Sequence, residues 1–412
     1  MKILILSTYD LKGGAGKAAF RLLKCLKTNP EFDAKMFVYE KSSSDENVFQ
    51  IQTFWTKYFG KLIQAFDNLF LIFFPNRNGA IFSTAWISLA SVNRYIKEFG
   101  PDVINIHWVN NGFISLNQIS QFPKNIPIVF SLHDRWLMTG GCHVSYDCDK
   151  YKVGCEKCVQ ISSKYKLDLS AINFNRKKAL INGRANFNII GVSKWMKDSA
   201  EKSEILNKIP SVNLPNPIDT NFYSPLNKEY ARSVLGISTE KTILLFGAFN
   251  ATTDFQKGFH YLKNVIDLLD QKKYLLVIFG NNGTSHFENL GLEFLQFGHI
   301  HDEMTMRILL SAADIFLLPS LQENLSNSVM ESLSCGLPIV AFDVGGNSDL
   351  VKHKVTGYLA KPFDILDFSN GIDYISNEDN LGSNARAHAQ ANFDYNILSK
   401  SYFDYFKTII LK

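Results

Sequence analysis

The sequence predicts an α/β fold built from two domains, each with a mostly parallel sheet. The chain has 412 residues, which exceeds the size at which one hydrophobic core keeps growing, so two domains of roughly 200 residues are expected. Short aliphatic runs alternate with helical segments in both halves, a rhythm typical of βαβ units and parallel sheets. The rhythm stops at Pro215-Asn216-Pro217 and then restarts, which indicates a linker near residues 210–225.

Each half contains a series of β-branched or aliphatic runs that predict strands. In the first half they are residues 2–7, 34–39, 103–107, 127–133 and 188–193. In the second half they are residues 242–246, 274–279, 293–297, 314–318, 338–342 and 357–359. We predict an N-terminal domain at residues 1–210, a C-terminal domain at 211–390, and a last amphipathic helix at 391–412.

The composition predicts a protein that stays in the cytoplasm. Hydrophobic residues make up 46% and charged residues 20% of the chain, which is ordinary for a globular protein. No apolar stretch reaches the roughly 18 residues of a membrane span. The run from Met1 to Leu6 is too short and too quickly polar for a signal peptide, and we interpret it as the first buried strand.

The charge is distributed unevenly. Residues 1–210 carry 28 Lys and Arg against 17 Asp and Glu, whereas residues 211–412 carry 15 against 22. A basic first half suits an anionic acceptor or the anionic face of a membrane, although it also suits a solvated surface without a partner. Residues 54–74 combine aromatic and basic side chains, which predicts either a helix lying in a lipid interface or a core or lid helix.

Two carboxylates, Glu323 and Glu331, flank a predicted strand-to-helix junction. The apolar run at residues 314–318 ends at Pro319, and a short helix is predicted from about Asn327 to Cys335 with Ser326 as its N-cap. Glu323 would then act from a loop and Glu331 from the helix. Carboxylates suit sugar hydroxyls, and the free amides of a helix N-terminus suit phosphate, so a nucleotide sugar is the expected ligand.

This arrangement resembles the E-x7-E motif of the retaining glycosyltransferases of family 4, whose GT-B fold is two Rossmann-like domains facing each other across a cleft. The resemblance covers most of the chain. Its other motifs are Gly13-Gly14, His133-Asp134, Asn216-Pro217-Ile218-Asp219, Lys257-Gly258 and Gly345-Gly346. In GT-B enzymes the last helix crosses back to the N-terminal domain, which is the acceptor-binding domain, while the C-terminal domain binds the donor.

The resemblance also implies roles for individual residues. Glu323 would hold donor-sugar hydroxyls, Glu331 the ribose, and Lys257 the diphosphate, while His133 would lie beside the anomeric centre. The residues expected to bind the donor are Gly13, Gly14, Lys257, Glu323, Asn327, Ser328 and Glu331. The catalytic set is His133, Glu323 and Lys257, and catalysis would require no metal or other cofactor.

The sequence departs from the family pattern at two points. The family commonly has an arginine shortly after the glycine that ends the first C-terminal-domain strand, but here Gly247 is followed by Ala248-Phe249-Asn250. One phosphate cation is therefore missing or supplied elsewhere. Pro217 replaces the usual glycine and excludes a positive φ, so the hinge loop must be built differently.

The glycine-rich segment beginning at Gly14 also matches a dinucleotide fingerprint, with Glu40 as the acid at the end of the second strand. Five residues separate Thr8 from Gly14, whereas a dinucleotide fold turns tightly from strand to glycine. We therefore favour a loop of small residues that lets the donor phosphate or the acceptor approach the backbone.

Four cysteines lie within a predicted insertion at residues 139–160. They are Cys142, Cys148, Cys155 and Cys158. In a cytoplasmic chain this cluster favours a metal over disulfides, and four thiolates suit a structural, non-catalytic zinc site. His143 is an alternative ligand, and reduced or redox-labile thiols are the alternative to a metal.

Histidines close two of the predicted strands. His107-Trp108 and His133-Asp134 each follow an apolar run, and the carboxyl ends of strands are where open α/β sheets bind ligands. A lone histidine there is more often structural, but two on one edge favour function, and Trp108 can stack on a sugar ring. We assign His107, Trp108 and Asp134 to the acceptor side.

Together these features predict transfer of a sugar from a nucleoside-diphosphate sugar to a glycan or lipid-linked glycan acceptor in cell-surface polysaccharide synthesis, with hexosyltransferase activity. The expected location is the cytoplasm, with peripheral association at the inner face of the membrane and no nucleic-acid partner. The alternatives are a nucleotide-sugar epimerase with the same fold and a non-catalytic sugar-nucleotide-binding protein.

Overall fold

The computed structural model describes the chain except residues 52–65, 68, 76, 78–80, 89–90, 248–253, 281–289 and 412. The described residues form two compact units, one made of residues 1–217 with 398–412 and the other of residues 218–397. Each unit contains one parallel sheet.

The first unit contains a seven-stranded sheet in the order β3-β2-β1-β4-β5-β6-β7. Its strands are β1 (Lys2–Tyr9), β2 (Asp33–Glu40), β3 (Val48–Gln50), β4 (Val103–Ile106), β5 (Ile128–Leu132), β6 (Phe187–Gly191) and β7 (Ser211–Asn213). Its described helices are Gly13–Lys27, Asn93–Phe99, Leu116–Ser120, Leu169–Asn182 and Lys194–Glu201, with the last helix of the chain. The strand order reverses between β1 and β4, the point where such sheets bind ligands.

The second unit repeats this plan with six strands in the order β10-β9-β8-β11-β12-β13. They are β8 (Thr242–Gly247), β9 (Tyr274–Phe279), β10 (Phe294–Gln296), β11 (Ile315–Leu318), β12 (Ile339–Phe342) and β13 (Gly357–Ala360). The described helices are Lys228–Val234, Phe259–Ile266, Glu303–Ala312, Asn327–Ser334, Asn347–Leu350, Ile365–Ser376 and Leu381–Phe393. The order reverses between β8 and β11. Both units therefore confirm the predicted α/β class.

The central strands are buried along almost their whole length. Ile3 to Leu6 of β1 have no exposed surface, and every residue of β9 is buried. A parallel sheet covered on both faces needs continuous apolar strands rather than alternating ones. For this reason the unbroken aliphatic runs in the sequence correctly predicted the central strands.

The outermost strands β3 and β7 were not predicted. Each has only three residues and lies at an edge of the first sheet. Edge strands expose one side to water and need little apolar sequence, so they leave a weak pattern.

The predicted last helix at residues 391–412 is present as Tyr395–Ile410. Its predicted start was too early, because the chain breaks at Asp394 and residues 391–393 belong to the preceding helix Leu381–Phe393. The carboxylate of Asp394 accepts hydrogen bonds from the Thr220 hydroxyl and from the Asn396 amide. These bonds hold Asp394 in an extended conformation that a continuous helix cannot contain.

The end of the last helix packs within the first unit. The Tyr402 hydroxyl donates to the carbonyl oxygen of Pro215 at 3.3 Å. The ring of Phe32 lies 5.5 Å from that of Phe403 and 6.3 Å from that of Phe406. Residues 398–412 therefore complete the core of this unit.

Within the part of the chain that the structure describes, no helix has both the length and the apolar character needed to cross a bilayer. The predicted interfacial helix at residues 54–74 lies largely outside the described residues. Its described end contains the 3-10 helix Leu69–Phe73, in which Ile72 is 67% and Phe73 76% exposed.

Candidate functional site

In the second unit, Glu323 lies in the loop that joins β11 to the helix Asn327–Ser334. Its Oε1 accepts hydrogen bonds from Lys257 Nζ at 2.6 Å and from Ser320 Oγ at 3.1 Å. The side chain of Glu323 is 11% exposed and that of Lys257 is 23% exposed. Water therefore screens this ion pair less than it screens a surface pair.

Gln256 joins the segment that carries Lys257 to the Glu323 loop through one backbone and one side-chain hydrogen bond. Lys257 ends the 3-10 helix Phe255–Lys257. The Leu321 amide donates to the carbonyl oxygen of Gln256 at 2.9 Å, and Gln256 Nε2 donates to that of Gln322 at 2.8 Å. The ammonium and the carboxylate are thus held by their backbones as well as by their own contact.

Two glycines allow these loops to approach so closely. Gly258 has φ +72°, and a Cβ added there would lie 1.8 Å from the carbonyl oxygen of Pro319. Gly345 has φ +60°, and its added Cβ would lie 2.0 Å from the carbonyl oxygen of Glu323. That same oxygen accepts a hydrogen bond from the Gly346 amide at 2.9 Å. Only glycine satisfies both the conformation and the space at these positions.

The electrostatic balance keeps Lys257 charged. Burial alone lowers the pKa of its ammonium group, but the charge and the hydrogen bond of Glu323 outweigh burial, so this pKa is raised above its usual value. The loops at the ends of β8, β11 and β12 therefore present a fixed cation beside a fixed carboxylate.

Glu331 lies within the helix Asn327–Ser334 and is only 6% exposed. Ser326 is at the N-cap position, although its side chain makes no capping hydrogen bond and its hydroxyl instead lies 3.2 Å from that of Ser328. Asn327 and Ser328 form the first turn. The structure therefore has Glu323 in the loop and Glu331 in the helix.

The prediction of a missing phosphate-binding arginine concerns residues 248–250, which lie outside the described residues. Lys257 is a described cation at this edge of the second sheet, and its contact with Glu323 is known.

In the first unit, the helix Gly13–Lys27 begins directly after the loop that follows β1. Gly13 has φ +68°, and Gly14 lies in the first turn. A Cβ added at Gly16 would lie 3.0 Å from the carbonyl oxygen of Tyr9. Gly16 therefore lets the first turn of this helix pack closely on the end of β1, while Gly13 supplies a positive φ at the turn.

Glu40, the acid of the dinucleotide alternative, ends β2 and forms an ion pair with Lys12. Its carboxylate therefore has a cationic partner within the chain.

His107 and His133 follow the neighbouring strands β4 and β5 and contact each other. His107 Nδ1 lies 2.7 Å from His133 Nε2, and His107 Nε2 lies 3.0 Å from Asn105 Oδ1. Burial lowers the pKa of His107 well below its usual value, and burial lowers that of His133 to about 4. Both imidazoles are therefore neutral at pH 7.

A second contact group joins Trp108 and Asp134 through His143. Asp134 Oδ2 lies 2.6 Å from His143 Nδ1, and Trp108 Nε1 lies 3.1 Å from the same nitrogen. Ser83 Oγ lies 2.8 Å from His143 Nε2. Burial alone raises the pKa of Asp134, but its contacts with His143 and the Trp136 amide outweigh burial and lower it.

His107, Trp108, His133 and Asp134 line a cavity of about 20 Å³ at the carboxyl ends of β4 and β5. The structure thus brings the four predicted residues of this edge together. Sequence reasoning missed Asn105, whose signal was a polar residue inside the apolar run of β4. It also missed the contact between His143 and Asp134, which lie nine residues apart in one loop, because their spacing has no sequence signal.

The four cysteines of the insertion lie in one loop region. Burial raises the pKa of Cys142 and of Cys155 to about 12, so both thiols are protonated at pH 7 when no metal is bound. Among the described residues, no group of three or more His, Cys, Asp or Glu side chains is arranged to hold a metal ion. His143 is engaged by Asp134 and Ser83. The zinc site therefore stays a prediction from the spacing of the cysteines.

Comparisons with known proteins agree with the fold. Residues 227–392 match the family described as glycosyl transferases group 1. The chain is 24% identical over 229 residues to 2-deoxystreptamine N-acetyl-D-glucosaminyltransferase of Niallia circulans, a stretch that makes up 54% of this chain and 56% of that protein. The chain thus spans little more than half the length of this relative.

A shorter stretch of 125 residues is 30% identical to N,N'-diacetylbacillosaminyl-diphospho-undecaprenol alpha-1,3-N-acetylgalactosaminyltransferase of Campylobacter jejuni and covers 29% of this chain and 33% of that protein. Among solved structures, Anabaena HepE in complex with UDP-glucose matches with a TM-score of 0.68 and 17% identity, over 99% of this chain and 100% of that one. The chain therefore has the fold of GT-B glycosyltransferase structures, with a glycosyltransferase group 1 domain at residues 227–392.

Proposed function

We propose that this protein transfers a sugar from a nucleoside-diphosphate sugar to a hydroxyl group of a glycan or lipid-linked glycan, in the synthesis of a cell-surface polysaccharide. The observation that carries the proposal is the Lys257–Glu323 ion pair, which Gly258 and Gly345 allow at the carboxyl edge of the second sheet. This edge belongs to the glycosyltransferase group 1 domain. The UDP-glucose bound by HepE and the undecaprenol-linked acceptor named for the Campylobacter protein support the two substrate classes.

The second unit would bind the donor. Lys257 and the amides of Asn327 and Ser328 would stabilise the negative charge that grows on the departing diphosphate. Glu323 would accept hydrogen bonds from sugar hydroxyls, and Glu331 from the ribose. Preorganised donors of this kind typically contribute about 10²–10³ in rate each.

The reaction would retain the anomeric configuration, as in family 4. The bond from the anomeric carbon to the diphosphate breaks, and the bond to the acceptor oxygen forms on the same face of the sugar. The acceptor proton passes to the leaving phosphate oxygen, so no metal or other cofactor is needed. His133 would contact the transferred sugar, the backbone at Gly13 and Gly14 would approach the donor, and His107, Trp108 and Asp134 would border the acceptor.

The acceptor chemistry also supports a position at the inner face of the cytoplasmic membrane. The loop at residues 150–167 combines exposed apolar and basic side chains. Val153 is 80%, Tyr165 76% and Leu167 76% exposed. The loop carries five lysines against one acidic residue, a charge balance that suits anionic lipid headgroups.

Cosedimentation with vesicles tests this membrane association. Wild type should bind vesicles containing phosphatidylglycerol more strongly than neutral vesicles. The variant Tyr165→Ser/Leu167→Ser should bind less without a change in melting temperature. Equal recovery of both proteins would contradict a role for the loop.

A thermal-shift panel of UDP, GDP, TDP, their common sugars and NAD tests donor binding directly. A ligand at 100 times its dissociation constant stabilises by about 2.7 kcal/mol, and the Glu331→Ala variant should lose this gain. The paired activity assay detects the product. A glycosidic product that forms only with an acceptor supports the transferase, whereas free sugar released without an acceptor would identify an epimerase. Nucleotide binding without either product would indicate a non-catalytic protein.

A further inference from the structure

The hydrogen bonds around His133 define which of its nitrogens carries the proton. The reasoning begins at Asn105, which is fully buried in β4. Its Nδ2 lies 3.1 Å from the carbonyl oxygen of Val129 and 2.9 Å from Ser131 Oγ. A carbonyl oxygen only accepts hydrogen bonds, so the nitrogen of the Asn105 amide must face Val129. The amide oxygen therefore faces His107.

The second step passes this constraint to His107. Asn105 Oδ1 lies 3.0 Å from His107 Nε2 and can only accept, so His107 Nε2 carries a hydrogen. His107 is 8% exposed and neutral. A neutral imidazole has only one N–H, so His107 Nδ1 has a lone pair.

The third step passes the constraint to His133. Its Nε2 lies 2.7 Å from His107 Nδ1, and the two rings stack with centroids 4.9 Å apart. Because His107 Nδ1 accepts, His133 Nε2 must donate. In neutral His133 the remaining lone pair is then on Nδ1.

We propose that Asn105 and His107 are positioning residues that hold His133 in the neutral Nε2–H tautomer, so that His133 acts on its ligand as a hydrogen-bond acceptor through Nδ1 rather than as a proton donor. The part that concerns the ligand rests on the proposed transferase function. The part that concerns the tautomer rests on the hydrogen bonds and on the neutral state of the two buried imidazoles. An acceptor of this kind selects a donor such as a sugar hydroxyl and would not protonate a leaving group.

The tautomer is measured directly by long-range ¹H–¹⁵N spectra of protein labelled with ¹⁵N-histidine, in which the two neutral tautomers and the cation have distinct nitrogen shifts. His133→Gln identifies the relevant signals. At pH 7, wild-type His133 should show the Nε2–H form alone. The Nδ1–H form or the cation as the main species would overturn the proposal, and this measurement requires no enzyme activity.

Two variants at position 107 distinguish a relay, meaning the chain of hydrogen bonds from Asn105 through His107 to His133, from an effect of packing alone. His107→Gln keeps an oxygen that accepts from His133 Nε2, together with an amide N–H that donates to Asn105. His107→Leu fills a similar volume but removes both. The leucine variant should add a second His133 species to the spectrum and lower kcat by about tenfold, because small errors of position reduce rates strongly. The glutamine variant should keep one tautomer and lose clearly less kcat than the leucine variant.

Donor binding shows whether each His107 variant is folded. The proposed donor residues Lys257 and Glu331 belong to the second unit, whereas His107 belongs to the first. Both variants should keep the thermal shift given by the nucleotide. Equal losses of kcat in the two variants would overturn the relay. If wild type lacks transferase activity with every donor, the proposed function fails while the spectra still decide the tautomer. If the leucine variant does not fold, the wild-type spectrum and the glutamine variant decide.

Discussion

Replacing Lys257 by Met should separate catalysis from stability at the second unit. The substitution keeps most of the apolar stem and removes the ammonium group that lies 2.6 Å from Glu323. Turnover should fall by about 10²–10³-fold, because the charge on the departing diphosphate loses its cation. Unfolding free energy should fall much less.

The size of the stability loss follows from the exposure of the pair. Breaking a fully buried ion pair costs about 3–5 kcal/mol, whereas a surface pair contributes about 0–1 kcal/mol. With side chains 11% and 23% exposed, this pair lies between the two cases, and Ser320 still donates to the carboxylate that remains. We expect a loss of about 1–3 kcal/mol, which lowers the melting temperature by about 2–12 °C for a unit of this size.

The assay measures kcat, the nucleotide dissociation constant and the melting temperature of the same preparation. Lys263→Met is the matched control, since Lys263 is exposed on the neighbouring helix Phe259–Ile266 and should leave all three values unchanged. Turnover within tenfold of wild type would refute the role of Lys257. So would a loss of turnover that merely follows the fraction of unfolded protein.

Three further predictions concern other parts of the chain. Gly345→Ala should abolish donor binding, because the new Cβ meets the carbonyl oxygen of Glu323. The control is Gly236→Ala, at φ +66° with no atom within 4 Å of the new Cβ, which should cost only about 1–2 kcal/mol of backbone strain and keep donor binding. Similar donor binding by both variants would contradict this steric argument. The pKa of His133 is about 4 in the folded protein and about 6.5 in the unfolded chain, so its contribution to stability is present above pH 6.5 and is lost as the pH falls toward 4. Urea unfolding should therefore show a loss of stability from pH 7 to pH 5 that is about 2 kcal/mol smaller in His133→Gln than in wild type. An equal loss in both proteins would mean that folding does not lower the pKa of His133. Elemental analysis of protein purified without chelator should find one zinc per chain, reduced in Cys158→Ser but not in Cys335→Ser, and metal-free wild type would remove the zinc prediction.

The sequence predicted the central strands well because burial leaves a simple pattern. The run Tyr274 to Phe279 was predicted with the same bounds that the structure has, since all six of its residues are buried. The edge strand Val48–Gln50 carries no such run. The break at Asp394 was missed because its cause is Thr220, which lies far away in the chain.

The candidate site was predicted in part for a similar reason. Glu323 could be recognised from its loop after an apolar strand, because the carboxyl ends of parallel strands are where such sheets bind ligands. Lys257 and Gly345 were recognised only through the resemblance to family 4. The ion pair between Lys257 and Glu323 was not predicted, since spacing in the sequence does not indicate a contact across loops. Asn105 was overlooked because a polar residue in an apolar strand reveals its importance only once its partners are known.

The contact of Phe32 with Phe403 and Phe406 has a consequence for synthesis of the chain. The first unit needs residues 398–412 to cover its core, yet the ribosome makes these residues only after the whole of the second unit. Domains usually fold in the order in which they emerge. Here the sequence of the second unit is complete before that of the first. The first unit begins to emerge earlier, but its core stays partly uncovered until residues 398–412 have been synthesised.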